Sequence, residues 1–165
     1  MNVELLESRP DDIPVLRRLM QLYLGSRDGW HIADDGTYGD TERIEGFWTD
    51  KRRQLYLVKV DGKLSGFVLT RAGTYFSGDV AHEISEFFVL QRYRRLGVGR
   101  TIATRLFNIF TGKWEVAVMK ANIPAQHFWR AVIADYSGGN YEEFSAHYET
   151  TEFVVFRLCG RRSDQ

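Results

Sequence analysis

The most constraining feature of this 165-residue chain is a strand that runs into a glycine-containing turn and then into a helix. Residues 86–100 read EFFVLQRYRRLGVGR. The first turn of a helix has unpaired N–H groups and a positive dipole end, which attract anions. Gly97 and Gly99 let the backbone approach a bulky diphosphate without Cβ clashes. Three arginines add positive charge beside the turn: Arg94, Arg95 and Arg100. The segment is therefore predicted to bind a pyrophosphate.

The same turn has two other interpretations. A dinucleotide site also uses Gly-x-Gly between a strand and a helix, but it has a third glycine where Ile102 stands here. Its ribose-binding acid would have to be Glu115, which lies near the start of the next predicted strand rather than at its end. Alternatively, the two glycines only form a tight turn.

The rest of the chain predicts one domain over residues 1–165, a length that suits a single core. Alternating patterns predict strands at 2–8, 54–60, 64–70, 81–90, 114–119, 141–148 and 152–158. Helical spacing predicts helices at about 13–23, 41–48, 98–110 and 122–133. Asp61-Gly62 is a hairpin signal, and residues 28–41 break every period and are predicted to form a loop. Hairpins followed by βαβ units predict an α+β fold, a mixed sheet flanked by helices.

The charge balance and the cysteine content restrict the classes of partner that the chain is expected to bind. Lys plus Arg equals Asp plus Glu at 22 each, which disfavours nucleic-acid binding and an electrostatic membrane anchor. Cys159 is the single cysteine and the four histidines lack zinc spacing, so neither a disulfide nor a metal is expected. The first residues lack a signal-peptide pattern, and no apolar stretch reaches membrane-spanning length. These features predict a cytoplasmic monomer, or a homodimer formed through edge strands at 141–158.

At this point the chain resembles the GNAT superfamily of acetyl-CoA-dependent N-acetyltransferases. Residues 93–99, YRRLGVG, with the amphipathic helix after them, are similar to the family's acetyl-CoA signature, Gln/Arg-x-x-Gly-x-Gly/Ala. Residues 122–129, NIPAQHFW, resemble its second cofactor motif. The element order also fits the family fold, so the resemblance covers nearly the whole chain. It implies a mostly antiparallel sheet in which the parallel strands holding Val89 and Val116 splay apart.

The resemblance implies acetyl-CoA as cosubstrate, no metal, and a primary amine of a small molecule or peptide as acceptor. Main-chain groups of Phe87 and Val89 would hold the pantetheine arm, and amides of residues 95–100 would hold the pyrophosphate. Asn122 would lie near the pantetheine, or would only cap its helix. The cofactor-binding residues implied are Phe87, Phe88, Val89, Arg94, Arg95, Leu96, Gly97, Val98, Gly99, Arg100, Asn122, Phe128 and Trp129.

Acetyl transfer to an amine requires a proton acceptor, because an amine is a nucleophile only when it is neutral. Glu83 falls where some family members place a general base, whereas Glu86, the favoured candidate, adjoins the pantetheine-binding stretch. The two face opposite sides of a regular strand, but a bulge, common in this strand of the family, would change that parity. The family's tyrosine acid is replaced by Trp129, and Tyr136 and Tyr141 are the substitute candidates.

By family analogy, the N-terminal half sets acceptor specificity. The predicted loop at 28–41 is acidic and aromatic, with Asp28, Trp30, His31, Asp34, Asp35, Tyr38 and Asp40. These side chains suit a cationic amine through charge pairing and cation–π contact, or they form a solvated acidic loop. Because Trp129 cannot act as an acid, a non-catalytic acyl-CoA-binding or sensor module is a second functional hypothesis, and a nucleotide-binding protein is a third.

Overall fold

The computed structural model describes residues 1–27, 31–39, 41–79 and 82–161, with the side chains of residues 41–44 outside the description. The strands are β1 (Val3–Glu7), β2 (Arg53–Val60), β3 (Lys63–Ala72), β4 (His82–Val89), β5 (Gly112–Met119), β6 (Glu142–Tyr148) and β7 (Thr151–Gly160). The helices are α1 (Ile13–Gly25), α2 (Thr41–Thr49), α3 (Val98–Ile109) and α4 (Ile123–Ser137). The predicted element order is confirmed.

All seven strands form one sheet in the order β1-β2-β3-β4-β5-β7-β6. Five of the six neighbouring pairs are antiparallel, and β4 with β5 is the parallel pair. The helix α3 supplies the crossover that a parallel pair needs. The predicted mixed, mostly antiparallel sheet flanked by helices is therefore confirmed.

Each face of the sheet has its own hydrophobic core. On one face α3 and α4 bury Ile102, Phe107 and Ile133 against the strands. On the other, α1 buries Leu16 and Met20 against β2, β3 and β4. These two faces are called the α3/α4 face and the α1 face below. Among the helices that the structure describes, none is long and apolar enough to cross a membrane.

Two predicted boundaries differ from the structure. The last helix, expected to end near Ile133, continues to Ser137, and Gly138 then takes the left-handed conformation with φ of 64°. Packing explains the extra turn, because the Tyr136 ring lies 5.1 Å from that of Phe107. In the predicted loop, Ile32 and Tyr38 form an isolated bridge. Three of its named residues, Asp28, Trp30 and Asp40, lie outside the described residues, as does Ala81.

Candidate functional site

β4 and β5 part within the sheet. Within the described residues, three rungs join His82 to Trp114, Glu83 to Glu115 and Ile84 to Val116. Beyond the last rung, β4 continues to Val89 and β5 to Met119. The gap between residues 85–89 and residues 117–119 is called the cleft here. Main-chain groups border it, and an extended chain can add to such an edge as a strand does. The predicted splay is confirmed.

The turn after β4 presents main-chain N–H groups at the start of α3. Arg95 and Gly97 both have left-handed backbone, with φ of 61° and 82°. Gly97 is the N-cap, and within the described residues no side chain caps the helix and no acidic residue occupies its first turn. Alternating left- and right-handed residues turn successive N–H groups toward one point, which forms an anion-binding concavity. This geometry suits a phosphate group.

The three arginines of the turn have different surroundings. Arg94 donates from Nε to the main-chain carbonyl of Val89 at 2.8 Å, so it fixes the end of β4. Arg100 forms an ion pair with Asp135 of α4. Arg95 is exposed. Of the Val89 main-chain groups predicted to contact pantetheine, the carbonyl therefore already accepts one hydrogen bond from within the protein.

Gly99 allows a close approach between α3 and α4. A Cβ at Gly99 would lie 3.0 Å from Cζ of Phe128. The Phe128 ring is 5.9 Å from that of Phe87 and 5.0 Å from that of Trp129, which also lies 4.9 Å from Phe87. These three rings belong to the predicted donor-binding set and pack together on the α3/α4 face. Trp129 is buried, and its indole has no acidic hydroxyl.

Three further members of that set have other environments. Phe88 is buried in the core of the α1 face, and Val98 is buried in the core of the α3/α4 face. Leu96 is exposed beside the turn. Asn122 caps α4, where its Oδ1 accepts from the Ala125 N–H at 3.2 Å. This hydrogen bond supports the interpretation of Asn122 as a helix cap.

A β-bulge brings Glu83 and Glu86 to the same side of the sheet. The register between β3 and β4 shifts so that Leu69 pairs with Glu86 while Arg71 pairs with Glu83. Leu69 and Arg71 are two residues apart and share a face, and directly paired residues point to the same side. Both glutamates therefore lie on the α1 face, and Glu86 lies beside the cleft.

Tyr23 of α1 is the partner of Glu86. Burial raises the pKa of the Tyr23 hydroxyl, and the charge of Glu86 and a hydrogen bond to it raise that pKa further. The phenol therefore stays protonated and donates to the carboxylate. Arg27 donates to Tyr23 Oη at 3.2 Å and reaches Met119 Sδ, also at 3.2 Å, at the end of β5. The Arg27 side chain, two residues beyond the end of α1, thus links Tyr23 to the end of β5 at the mouth of the cleft.

Tyr23 and Arg27 are site residues that the sequence analysis missed. Tyr23 occurs on the apolar stripe of its helix, where a core aromatic is the ordinary interpretation. Its ring does pack on Phe67 and Phe88, at 5.8 and 5.4 Å. The signal that distinguishes it is a hydroxyl among aliphatic neighbours, since a buried phenol needs a polar partner.

Glu83 has a more enclosed environment than Glu86. It is buried, its Oε1 accepts from Ser85 Oγ at 2.9 Å, and Arg71 Nη1 lies 4.0 Å away. Burial raises the pKa of Glu83, while the hydrogen bond from Ser85 and the charge of Arg71 lower it. Glu83 is one member of a charged row that crosses the α1 face, formed by Arg53, Arg71, Glu83, Glu115, Arg157 and Glu142.

Glu115 anchors the connection between β3 and β4. Thr74 and Ser77 of this connection both donate to the Glu115 carboxylate, the latter at 2.7 Å. Arg157 donates to the same group at 2.9 Å. Residues 73–79, called the β3–β4 loop below, are therefore held over β5 on the α1 face.

The structure does not bring the two substitute acids to the cleft. The Tyr136 hydroxyl lies 2.9 Å from Asn108 Oδ1 and accepts from the Arg161 N–H at 2.8 Å. It sits about two helical turns beyond Trp129, toward the opposite end of α4. Tyr141 packs against Phe156 with ring centroids 6.4 Å apart.

The described part of the predicted acceptor loop is largely exposed. His31, Asp34 and Asp35 are exposed, and Asp35 accepts from the Thr37 N–H at 3.0 Å. Tyr38 is half-buried, and its N–H donates to Gln21 of α1 at 2.7 Å. This part of the loop thus docks on α1 through Tyr38 and presents its carboxylates to solvent.

Comparison with known proteins adds independent findings. Residues 16–132 match the sequence profile of the Acetyltransferase (GNAT) family. No curated protein sequence shows significant similarity to the chain. An acetyltransferase from Thermus thermophilus has a similar structure, with a TM-score of 0.70, 16% identity, and coverage of 96% of this chain and 97% of that chain.

Two further solved structures share the fold. The ribosomal-protein-S18-alanine N-acetyltransferase from Escherichia coli has a TM-score of 0.62 at 12% identity, with 99% of this chain and 97% of that chain covered. A mutant of the spermidine N-acetyltransferase SpeG from Vibrio cholerae has a TM-score of 0.63 at 14% identity, covering 96% of this chain and 94% of that chain. At these identities the likeness concerns the fold alone.

Proposed function

The chain belongs to the GNAT acetyltransferase family, as the resemblance of residues 93–99 and 122–129 indicated, and on that premise we propose that it transfers an acetyl group from acetyl-CoA to a primary amine. One observation carries the proposal. A cleft between parallel strands joins an anion-binding turn at its end to a carboxylate, Glu86, at its side. Family members act on small-molecule or peptide amines, and the acceptor here is a small molecule or a peptide.

The residues at the cleft fit acetyl-CoA. The uncapped start of α3 offers donors for a pyrophosphate, and Arg95 adds an exposed positive charge beside them. A Cβ at Gly97 would meet no heavy atom of the described residues within 4 Å, so the surface at this point is open. The main-chain groups along residues 85–89 and 117–119 suit the amides of pantetheine, as in strand addition. Bound there, acetyl-CoA supplies an activated acetyl group.

Glu86 is the proposed general base. The amine nitrogen forms a bond to the acetyl carbon, the carbon–sulfur bond breaks, and its electron pair leaves on the CoA thiolate. The proton released by the amine passes to the Glu86 carboxylate. Tyr23 holds that carboxylate toward the cleft through its hydrogen bond. Glu83 is the second candidate, and its pairing with Ser85 and Arg71 suits a supporting role.

Departure of the thiolate does not require Trp129 to act as an acid. A thiol has a pKa of about 8.5, so its anion is a far weaker base than an alkoxide and leaves without a dedicated proton donor. This property supports catalysis over the non-catalytic acyl-CoA-binding alternative. The Tyr136 hydroxyl keeps its contacts with Asn108 and Arg161 and supports the fold in this proposal.

Calorimetry and a thiol-release assay test the proposal together. We expect acetyl-CoA to bind in the micromolar range, with NAD and ATP not binding, and some amines of a mixed panel to release free thiol. Binding without thiol release from any amine would favour the acyl-CoA sensor. Binding of NAD or ATP in place of acetyl-CoA would overturn both and favour a nucleotide-binding protein.

A further inference from the structure

Two arginines lie buried on the α1 face near the proposed base. Arg53 of β2 and Arg71 of β3 are direct partners in the register of the sheet. Only 7% of the Arg71 side chain and 9% of the Arg53 side chain are exposed. Placing two guanidinium groups side by side away from water is costly unless anionic groups or hydrogen-bond acceptors compensate them.

Aromatic rings stack on both groups, Phe47 on Arg53 and Tyr75 on Arg71, but hydrogen bonds from the described residues satisfy them only in part. Within that part of the chain, Nε and Nη1 of Arg71 and Nη1 of Arg53 have no hydrogen-bond partner. The carboxylates nearest to them are beyond hydrogen-bond distance, with Glu83 4.0 Å from Arg71 and Asp50 3.7 Å from Arg53. The pair therefore offers several N–H donors to an acceptor from outside the chain.

Glu83 is a weak counter-ion for Arg71. Burial raises the pKa of Glu83, which favours its neutral form. Its Oε1 also already accepts from Ser85. Glu83 thus divides its interactions between Ser85 and Arg71, and it approaches Arg71 no closer than 4.0 Å.

Arg71 is close enough to the proposed base for one small acceptor molecule to contact both. Arg71 is two residues from Leu69, which pairs with Glu86. Two residues of a strand span about 7 Å, so the Arg71 and Glu86 side chains leave the same face within reach of one small molecule.

We propose that Arg71, with Arg53, binds a carboxylate of the acceptor, so that the acceptor is an amine that also carries a carboxylate. This inference rests on the proposed function, because it places the amine at Glu86. The planar guanidinium fork matches a carboxylate in a bidentate manner, with two parallel N–H donors. Arg71 and Arg53 are adjacent, and three of their donor nitrogens have no partner within the described residues.

Tyr75 of the β3–β4 loop lies on the route to Arg71. Its ring is 3.8 Å from the Arg71 guanidinium and is half exposed to solvent. A ring that stacks on a guanidinium covers its face and leaves the N–H groups in the plane at the edge. Displacement of this ring, which also packs 4.6 Å from the ring of Tyr148, would open the donors to a carboxylate without breaking a strand.

Matched pairs of amines that differ by one carboxylate test the inference. The probes are lysine with cadaverine, ornithine with putrescine, tyrosine with tyramine, and histidine with histamine. Calorimetry measures the binding of each, and thiol release from acetyl-CoA measures kcat/KM. We expect at least one acid to bind, and to react, at least tenfold better than its decarboxylated partner.

Three variants assign the preference to the buried pair. Arg71→Gln and Arg53→Gln should each reduce the preference for the acid over its decarboxylated partner at least fivefold. Arg71→Lys keeps the positive charge but loses the planar guanidinium, so it should reduce this preference only in part. Arg52→Gln is the matched control, because Arg52 is mostly exposed and pairs with Asp50 at 3.0 Å. The control should keep the full preference. Thermal unfolding checks that each variant folds. If Arg71→Gln does not fold, Arg53→Gln tests the inference in its place.

The outcomes separate this inference from the proposed function. Equal binding and turnover of acids and their partners would overturn the carboxylate site while the acetyltransferase stands. A preference that survives both glutamine variants would overturn it as well. Preferential binding of an acid without any thiol release would support the site and contradict the proposed reaction.

Discussion

At the scale of the residue, Glu86 and Tyr23 form the unit on which the proposed chemistry depends. The phenol is kept protonated by burial and by the neighbouring carboxylate, so it donates rather than accepts. Arg27 donates to the same phenol oxygen, which orients the hydroxyl hydrogen away from Arg27. The carboxylate is thus held from α1, an element far from it in sequence.

Replacing Glu86 tests its assignment as the base. Glu86→Gln removes the proton acceptor and keeps the side-chain size, so we expect kcat/KM to fall about 100-fold, with acetyl-CoA affinity unchanged. Thiol release measured across pH and calorimetry provide the two readouts. Glu83→Gln is the comparison, and a larger loss of kcat/KM in that variant would assign the base to Glu83 instead.

Gly97 is required by its conformation rather than by space. Gly97→Ala places a Cβ in the open but in the left-handed region, so we expect a loss of about 1 kcal/mol in unfolding free energy. Acetyl-CoA binding should weaken with it, because the N–H groups of the turn change direction. Chemical denaturation and calorimetry measure both effects.

Gly78 is the matched control for Gly97. A Cβ there also meets no described heavy atom within 4 Å, and its backbone is outside the left-handed region. Gly78→Ala should therefore leave stability and acetyl-CoA affinity close to those of the parent protein. If the two alanine variants behave alike, the conformational argument for Gly97 is wrong.

The environment of His82 leads us to expect that the free energy of unfolding decreases in mild acid. Its ring packs 4.8 Å from Phe110 and 5.0 Å from Trp114, and burial lowers its pKa. The unfolded chain therefore binds the proton more readily, so stability is complete above about pH 6.5 and falls as pH drops below it. His82→Phe should reduce the difference between the urea midpoints at pH 7.5 and 5.5. The same substitution at the exposed His127 should leave that difference unchanged.

At the scale of the element, local sequence patterns predicted more than long-range contacts. The conformation of the segment from Phe87 to Gly99 depends on residues that are close in sequence. Its strand, turn and helix start were therefore all predicted. The side on which Glu86 lies could not be deduced, because it depends on a register shift opposite Leu69 and Thr70. The contact between Tyr23 and Glu86 was also missed, because it joins two elements that are far apart in sequence.

Asn122 illustrates an element-level role that can be tested. Asn122→Ala removes the cap of α4, so we expect a loss of about 1 kcal/mol in unfolding free energy. Asn122→Ser retains a capping oxygen and should restore both stability and acetyl-CoA affinity. If the serine variant is stable but binds acetyl-CoA poorly, Asn122 contacts the cofactor directly. Chemical denaturation and calorimetry distinguish these cases.

At the scale of the whole molecule, the sheet consists of two parts that share a short seam. In the part of the chain that the structure describes, three rungs join strands β1–β4 to strands β5–β7, and α3 connects the two parts on one face. A ligand that lies in the cleft contacts both parts, so its binding energy adds to the stability of the folded state.

Acetyl-CoA should therefore raise the unfolding temperature. At 100 times its Kd, a ligand that binds only the folded state adds about 2.7 kcal/mol. For a chain of this length, that corresponds to a rise of roughly 5 to 10 °C. Differential scanning fluorimetry with acetyl-CoA, and with NAD at equal concentration as the control, measures it. An equal rise with NAD would count against a site built for acetyl-CoA.

The parting of β4 and β5 also has a consequence for handling and storage. Most sheets have open edges only at their margins, and those edges can recruit extended segments of other molecules into aggregates. This molecule has two more such edges, residues 85–89 and 117–119, in the middle of its sheet. If the proposed cosubstrate binds in the cleft, it would shield them, so a starved cell or a dialysed sample would hold the protein in its most aggregation-prone form.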